Sequence, residues 1–312
     1  MSVAPISAIA APSQTPRDQR KRRNRQPWLG YAFLSPAMLL FLVFIAIPFV
    51  AALALAFYSW DLLTPATPAG FTNFVHLFTD PLLGRALLNT IGFAFASVVT
   101  HVVGAMLLAL AANRAMNKAL SYFFRGALIF PFLISWAAVS LLWKFVLDPT
   151  FGYVAYYLGH IGITAPAWFT DPNWALPAII GVDFWHTIGY TFIIMLAGLQ
   201  TVPKELTEAA RTDGANSRQI FFNVTLPLMS PTIFFATVIT FIGAFQIFDP
   251  MQIITQGGPN NATISIIMYL YQTGFQSFNV GYASAIALLV FVIIMGVTAA
   301  QFWASRRWVY EE

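Results

Sequence analysis

The chain has 312 residues, of which 58% are hydrophobic and 9% charged, and its formal net charge is +4. Soluble domains carry about a quarter of charged residues, so this composition excludes a soluble globular protein and predicts a chain that lies in a bilayer. The chain has no cysteine. Disulfides, thiolate metal sites and cysteine nucleophiles are therefore excluded as well.

Residues 1–27 are rich in Ala, Pro, Ser and Arg and lack apolar periodicity, which predicts a disordered tail. Six basic residues crowd this tail: Arg17, Arg20, Lys21, Arg22, Arg23 and Arg25. Their position before the first apolar segment indicates a membrane-topology signal rather than a nucleic-acid site. Residues 28–310 are predicted to form one transmembrane domain.

Six apolar segments are long enough to cross a bilayer, which takes about 20 residues of helix. They lie at about 29–58, 86–112, 121–147, 175–199 and 232–254, with the sixth ending at Arg306 and Arg307. The sequence therefore predicts an all-α membrane protein of about six transmembrane helices.

The basic residues outside the spans predict the orientation. One side has the tail, Arg114, Lys118, Lys204, Arg211, Arg218, Arg306 and Arg307, whereas the other has Arg85 and, near a helix end, Lys144. Because cytoplasmic loops carry the excess of Lys and Arg, both termini are predicted to be cytoplasmic.

A short polar segment separates the fourth and fifth predicted spans. Pro203 suits the first position of a helix, where a missing N–H costs nothing. Gly214 accepts the left-handed backbone that reverses the chain after that helix. Asn216 can cap a second helix, which Pro227 is predicted to end. The residues predict two short helices around a turn, with a surface suited to docking on another protein.

This segment resembles the EAA loop of the membrane-spanning subunits of ABC importers. The matching residues are Glu208, Ala209, Ala210, Asp213, Gly214, Ala215, Gln219, Phe221, Val224, Thr225, Leu226 and Pro227. Val224 stands where isoleucine is commoner. The resemblance implies a type I importer permease fold, with a coupling loop at about 200–231 that contacts cytoplasmic ATPases. The residues that it assigns to this contact are Glu208, Ala209, Ala210, Asp213, Gly214, Ala215, Leu226 and Pro227.

Other segments resemble the permeases of sugar importers of the maltose and glycerol-3-phosphate type. They are 70–74, 86–90, Phe248-Asp249, Thr255, 257–259, Thr263 and 281–285. The resemblance implies a non-catalytic subunit of a bacterial inner membrane that pairs with a second permease, two ATPases and an extracytoplasmic solute-binding protein. The chain has no G-x-x-x-x-G-K-[ST] loop, so ATP and Mg²⁺ are expected on the ATPases and no cofactor on this chain.

Polar residues inside the predicted spans suggest a substrate path, because such residues usually face a bundle interior or a pathway. In the third, fourth and fifth spans they recur at helical spacing, and the fourth adds Thr187 to the pattern. The predicted path residues are Trp136, Ser140, Asp183, His186, Tyr190, Gln246 and Asp249. Aromatic rings beside carboxylate and amide groups suit a sugar or oligosaccharide.

Structural roles compete with this interpretation. Asp249 could cap or brace the outer end of its helix, and His186 could pack so as to satisfy Asp183. Trp136 and Trp143 could be core or interfacial aromatics. A metal site would need more ligands than Asp183 and His186 provide.

Two other transport functions stay open. A glycerol phosphate is one, although the region 126–143 and the fourth and fifth spans contain no Lys or Arg to meet a phosphate. That absence favours a neutral polyol, but a partner permease could supply the cations. An ion-coupled secondary carrier is the other, since it would use membrane carboxylates such as Asp183 and Asp249.

Overall fold

The computed structural model describes residues 27–113 and 118–309. The predicted basic tail, apart from residue 27, and Arg114 lie outside the described residues. By its internal contacts the chain divides into two units, Met1–Ala52 and Leu53–Glu312.

The first unit is described from residue 27 and is helical. It contains α1 (Pro27–Phe41), a π-helical turn (Leu42–Ala46) and most of α2 (Ile47–Leu55). In the π turn, Ile47 donates its N–H to the Leu42 carbonyl. The next residue, Pro48, has no N–H, so a wider turn is accommodated at this point.

The described part of the second unit is helical apart from a small hairpin, β1 (Tyr58–Ser59) antiparallel to β2 (Thr67–Pro68). The helices are α3 (Thr72–Thr79), α4 (Pro81–Ala112), α5 (Lys118–Ile129), α6 (Trp136–Val146), α7 (Tyr153–His160), α8 (Pro172–Thr201), α9 (Lys204–Thr212), α10 (Ser217–Ile220), α11 (Leu226–Leu228), α12 (Ser230–Phe245), α13 (Ile266–Tyr271) and α14 (Val280–Ser305). Further π turns lie at Phe221–Thr225, Met251–Thr255 and Gln272–Gln276.

Four helices among the described residues are long and apolar enough to cross a membrane: Tyr31–Leu55, α4, α8 and α14. Two bent pairs meet the same criterion, Tyr122–Leu133 with α6 at 100° and Ser217–Leu228 with α12 at 65°. The described chain therefore has four to six candidate spans, which confirms the predicted fold class.

The helix predicted at 121–147 is broken. α5 ends at Ile129, a 3₁₀ turn follows at Phe130–Leu133, and α6 begins after a bend of 100°. Pro131 accounts for the break, because it lacks an N–H and disfavours helical backbone at the residue before it. Ser135 then caps α6 with its hydroxyl oxygen.

The helix predicted at 232–254 ends early, at Phe245. Pro250 has no N–H for the Gln246 carbonyl, so a helix through this segment would lose a hydrogen bond and meet the proline ring. Gln246 and Asp249 therefore do not continue the helical face that was predicted for them.

The second helix of the coupling loop also differs from its prediction. It was expected to end at Pro227, but helical backbone runs over Ser217–Leu228. The π turn before the proline accommodates it, with the Leu226 N–H donated to the Phe221 carbonyl. The chain then bends by 65° into α12.

Two spans begin earlier than predicted. α4 starts at Pro81 rather than near 86, and α8 at Pro172 rather than near 175. Each is preceded by an aspartate, Asp80 or Asp171, whose side chain accepts backbone N–H groups of the first turn. An Asp-Pro pair is a strong local start signal, because aspartate caps well and proline suits the first helical position.

The core of the second unit lies between α4, α8 and α12, with α8 packed along α4 and α12 packed against both. One buried cluster lies toward the hairpin and is centred on Phe93, Ile179, Phe245 and Ile286. Another lies toward the coupling loop and is centred on Ala109, Phe192, Met195 and Met229. The two clusters hold the same three helices together at both ends of the bundle.

The end of the bundle that carries β1 and β2, called the hairpin end below, is tied together by side-chain and backbone hydrogen bonds. Val280 donates its N–H to the Trp60 carbonyl at 3.0 Å. The Asn89 amide donates to the carbonyls of Asn261 and Ile264 at 2.8 and 3.1 Å. The loops between distant helices are thus anchored on α4 and α14.

A carboxylate cluster lies at the same end. Asp80 Oδ1 accepts the N–H groups of Leu82 and Leu83, and Oδ2 accepts the hydroxyls of Tyr269 at 2.5 Å and Tyr282 at 2.7 Å. Burial raises the pKa of the Asp80 carboxyl, but the phenol and backbone donors outweigh it, so this pKa lies below its usual value. Burial and the bond to Asp80 raise the pKa of Tyr269 to about 12.

These shifts predict a window of pH in which the cluster stabilises the fold. The contribution of Asp80 to the free energy of unfolding is fully present above the pKa of the unfolded state, 3.8. It is lost as the pH falls through the lower pKa of the folded state. The contribution of Tyr269 to the free energy of unfolding is fully present below the pKa of the unfolded state, 10.0. It is lost as the pH rises through the pKa of the folded state, about 12. We expect Asp80→Asn to cost about 1.5–3 kcal/mol near neutral pH and to weaken the loss of stability in acid.

Thermal unfolding of the detergent-purified protein from pH 3 to pH 7 measures this effect. The matched control is Asp171→Asn. The Asp171 side chain caps α8 by accepting the N–H of Asn173, and asparagine caps a helix about as well as aspartate. An equal change of melting temperature with pH in both variants would contradict the role of the two phenols.

Candidate functional site

A cavity of about 210 Å³ lies among α4, the break between α5 and α6, α8 and the end of α12. Its lining is mixed, with aromatic rings beside hydroxyl, imidazole and carboxylate groups. The lining residues are Ser97, His101, Phe132, Trp136, Asp183, Thr187, Tyr190, Thr191, Ile239, Thr240, Gly243, Ala244 and Ile247. This set contains no Lys or Arg.

The polar side of the cavity is a cluster that joins α4 to α8. Ser97 donates its hydroxyl to Asp183 Oδ2 at 2.5 Å, and both residues are at most 5% exposed. His101 Nδ1 donates to the Ser97 carbonyl at 2.7 Å. Its Nε2 lies 2.6 Å from Thr187 Oγ1 and 3.9 Å from Asp183 Oδ2. The carboxylate is therefore held by a hydroxyl and faces an imidazole, as a buried charge requires.

The aromatic side of the cavity is built on the break between α5 and α6. His186 donates Nε2–H to the Ile134 carbonyl at 3.0 Å, a carbonyl that the break removes from helical hydrogen bonding. The Trp136 ring packs on this imidazole with 4.0 Å between ring centroids. Phe132 stacks on Tyr190 at 5.2 Å and 19°. His186 thus holds the break in a position that presents three aromatic rings to the cavity.

The coupling loop, α9 to α11, turns at Gly214. The glycine has φ of +85°, and its N–H is donated to the Arg211 carbonyl at 3.0 Å. Ala215 donates to the Ala210 carbonyl at 2.9 Å, which completes a Schellman cap of α9. The predicted left-handed turn is therefore confirmed.

The second helix of the loop is capped and anchored. Asn216 and Gln219 form a capping box, with bonds of 2.9 and 2.8 Å between the side chain of each and the backbone N–H of the other. Ile220 is buried, and Phe221 and Leu226 pack against the cluster of α8 and α12. In contrast, Glu208, Ala209, Asp213 and Gly214 of the first helix and turn are exposed. The loop thus presents a free surface on one helix and is fixed to the bundle by the other.

Residues 101–310 match the family described as the inner membrane component of binding-protein-dependent transport systems. This match covers α8, the coupling loop, α12 and α14. The chain belongs to this family. It is a multi-pass permease subunit of an ABC importer that works with a solute-binding protein. Like the related permeases it is non-catalytic, and the ATPase is a separate subunit.

Several relatives resemble the permease along most of its length. The probable ABC transporter permease protein YurN of Bacillus subtilis is 36% identical, over 89% of this chain and 96% of the relative. The sn-glycerol-3-phosphate transport system permease protein UgpA of Brucella abortus is 33% identical, over 88% and 93%. The lactose transport system permease protein LacF of Rhizobium radiobacter is 33% identical, over 89% and 94%.

A solved structure has the same fold. It is that of a bacterial alginate ABC transporter in complex with an alginate pentasaccharide-bound periplasmic protein. One of its chains is 27% identical to the permease, with a TM-score of 0.80 over 94% of this chain and 97% of that chain.

The structure distributes the predicted path residues over three places. Trp136, Asp183 and Tyr190 line the cavity. Ser140 and His186 are buried, at 0% and 2% exposed, and are not among its lining residues. Gln246 and Asp249 follow the end of α12 and do not line the cavity either. Contact of any of these residues with substrate stays a prediction.

One of the two interpretations open for His186 was that it satisfies Asp183. Its Nε2 instead donates to the Ile134 carbonyl, and the hydroxyl bonded to Asp183 is that of Ser97. The sequence reasoning missed Ser97 and His101. A signal for them was present, because the two are four residues apart inside an apolar span and so share a helical face.

A metal site was the other use considered for Asp183 and His186, which provide too few ligands by themselves. Among the described residues, no group of three or more His, Asp or Glu side chains could hold a metal ion.

Proposed function

We propose that the permease carries a carbohydrate and that the cavity beside Asp183 is part of its path. The observation that carries this proposal is that Trp136 and Tyr190 line the same cavity as the hydroxyl-rich cluster of α4 and α8. Aromatic rings can stack on the C–H face of a sugar, while a carboxylate and threonine hydroxyls bond its hydroxyl groups. The names of the lactose and alginate relatives support a saccharide, whereas the name of UgpA favours a glycerol phosphate as the second candidate.

The proposal includes the assembly. A second, homologous permease would complete the path, two ATPases would bind ATP and Mg²⁺, and the solute-binding protein would deliver the cargo. The exposed face of α9, with Glu208, Ala209 and Gly214, would receive an ATPase. Because α10 and α11 are anchored in the core, movement of the ATPases would be transmitted to α8 and α12, which also border the cavity.

The orientation also belongs to this proposal. Five of the described basic residues lie in the coupling loop and at the end of α14: Lys204, Arg211, Arg218, Arg306 and Arg307. The excess of Lys and Arg on cytoplasmic loops supports a cytoplasmic coupling loop and cytoplasmic termini.

Uptake per assembled complex tests the path. Tyr190 is 41% exposed and lines the cavity, so we expect Tyr190→Ala to reduce uptake of the sugar delivered by the cognate binding protein about two- to tenfold, in line with about 0.5–1.5 kcal/mol for aromatic contacts. Phe95→Ala is the control, because Phe95 is a 73% exposed aromatic of α4 outside the cavity.

Two further variants test the remainder of the predicted path. If Gln246 and Asp249 contact the cargo, Gln246→Ala and Asp249→Asn should lower uptake per complex without lowering assembly. If Asp249 braces the structure, its variant should lower the amount of complex instead. Unchanged uptake for Tyr190→Ala together with both of these variants would place the path elsewhere in the bundle.

A further inference from the structure

We propose that Asp183 selects the charge of the cargo, so that the cavity takes an uncharged polyhydroxy compound and disfavours an anionic one. This inference rests on the proposed function, because it names the chemical class that the same cavity would pass. It separates the two substrate candidates, a neutral saccharide and a glycerol phosphate, by the groups that line the cavity of this chain.

The hydrogen-bonding groups of the polar cluster suit a ligand that brings donors. Both nitrogens of His101 already have partners, Nδ1 the Ser97 carbonyl and Nε2 the Thr187 hydroxyl. The Ser97 hydroxyl is donated to Asp183 Oδ2. The bond from Ser97 uses Oδ2, so a ligand hydroxyl would be accepted by the other carboxylate oxygen, Oδ1. A carboxylate or phosphate on the ligand would find the donors of this cluster already engaged.

The charges of the lining act in the same direction. Asp183 is 5% exposed, and a charge in such a site acts over several ångströms because little water screens it. No Lys or Arg lines the cavity. Lys144 lies in a different cavity, with Asp148 and Gln256, and donates to the Ile253 carbonyl at 3.3 Å. The His101 imidazole is the basic group of the lining, and its Nε2 lies 3.9 Å from Asp183 Oδ2. An anion beside Asp183 would therefore meet a like charge, with this imidazole but no guanidinium or ammonium group to offset it.

The cysteine-free sequence allows the charge preference to be measured without knowing the cargo. Gly243 lines the cavity, and a side chain added there meets no atom within 4 Å. A single Gly243→Cys can be modified in the purified importer by two methanethiosulfonates of similar size, one with a trimethylammonium group and one with a sulfonate. The reference is Gly159→Cys, an exposed position of α7 that also has no atom within 4 Å. The importer without an introduced cysteine supplies the background rate.

We expect the ratio of cationic to anionic modification rates to be at least about tenfold higher at residue 243 than at residue 159, because the two reagents differ in charge next to a buried carboxylate. Asp183→Asn should bring the ratio at residue 243 back toward the reference value. Asp171→Asn, which removes a carboxylate outside the cavity, should leave it unchanged. Equal ratios at residues 243 and 159 overturn the inference, even if Asp183→Asn fails to assemble.

The outcome for uptake separates this inference from the proposed function. If modification at Gly243→Cys blocks uptake but the two reagents react without charge preference, the cavity is still part of the transport path. The inference that Asp183 selects the charge of the cargo is then wrong. If modification leaves uptake unchanged, or neither reagent reacts, the cavity is not the path, and both proposals fail.

Discussion

Gly189→Ala should prevent assembly of the permease or reduce its stability severely. Gly189 lies where α8 crosses α5, and a Cβ at this position would overlap the Leu128 carbonyl oxygen. It would also lie 2.6 Å from the Leu128 carbonyl carbon and 3.0 Å from the Ile129 Cα. These atoms are all backbone, so the helices must separate. Overpacking usually costs about 1–3 kcal/mol, and we expect at least the upper value because no side chain can rotate away.

The yield of monodisperse complex and its melting temperature measure this effect. The matched control is Gly181→Ala, on the same helix, where an added Cβ meets no atom within 4 Å. Alanine in an open helical position should be neutral or stabilising by up to about 1 kcal/mol. If the two variants behave alike, the close approach of α5 and α8 does not contribute to stability.

A variant that still assembles carries a second expectation. The segment α5 leads directly into Phe132 and Trp136, which line the cavity. Moving α5 away from α8 should therefore also reduce uptake per complex. Normal uptake in such a complex would indicate that the aromatic side of the cavity tolerates displacement.

Gly214→Val should uncouple transport from ATP hydrolysis. The φ of +85° at Gly214 is strained for any other residue and most of all for a β-branched one, at a cost of about 1–3 kcal/mol. No atom lies within 4 Å of an added Cβ, so the effect would come from the backbone of the turn alone. The strain should change the angle between α9 and α10, and with it the surface that would face the ATPase. We expect uptake to fall at least about tenfold.

The control isolates strain from coupling. Gly162 has a φ of +76°, and no atom lies within 4 Å of an added Cβ. It lies just after α7, outside the coupling loop. Gly162→Val should carry a similar strain and retain uptake per complex. Glu208→Lys is the companion variant, since it reverses a charge on the exposed face of α9 without backbone strain. Normal uptake and binding-protein-stimulated ATPase activity in both Gly214→Val and Glu208→Lys would remove the coupling role.

Local sequence signals were sufficient for the membrane class and for the coupling loop. Hydrophobic runs of span length reflect the cost of leaving backbone polar groups in lipid, and this cost acts on each segment separately. Gly214 and Asn216 make their turn and cap through neighbours only a few residues away. Such features can be predicted because their physics is contained in a short stretch of chain.

The limits of the helices were predicted less well, although the residues responsible were visible. Pro131 breaks the third span and Pro250 follows the early end of the fifth, whereas Pro36, Pro177 and Pro227 are accommodated within helical backbone. A proline inside a helix, beyond its first turn, removes one backbone hydrogen bond. Whether the helix ends depends on the surroundings. At the break after Pro131, His186 donates to the Ile134 carbonyl, whereas a π turn before Pro227 lets the helical backbone continue.

The site itself was decided by tertiary structure. The sequence placed Asp183 on a polar helical face, but it contained no indication that this face meets Ser97 and His101 on α4, more than 80 residues earlier. Helical periodicity specifies which residues share a face and leaves open which faces meet. That pairing depends on how α4, α8 and α12 pack. Here Asp183 lines a cavity, whereas Ser140 and His186 are buried and are not among its lining residues.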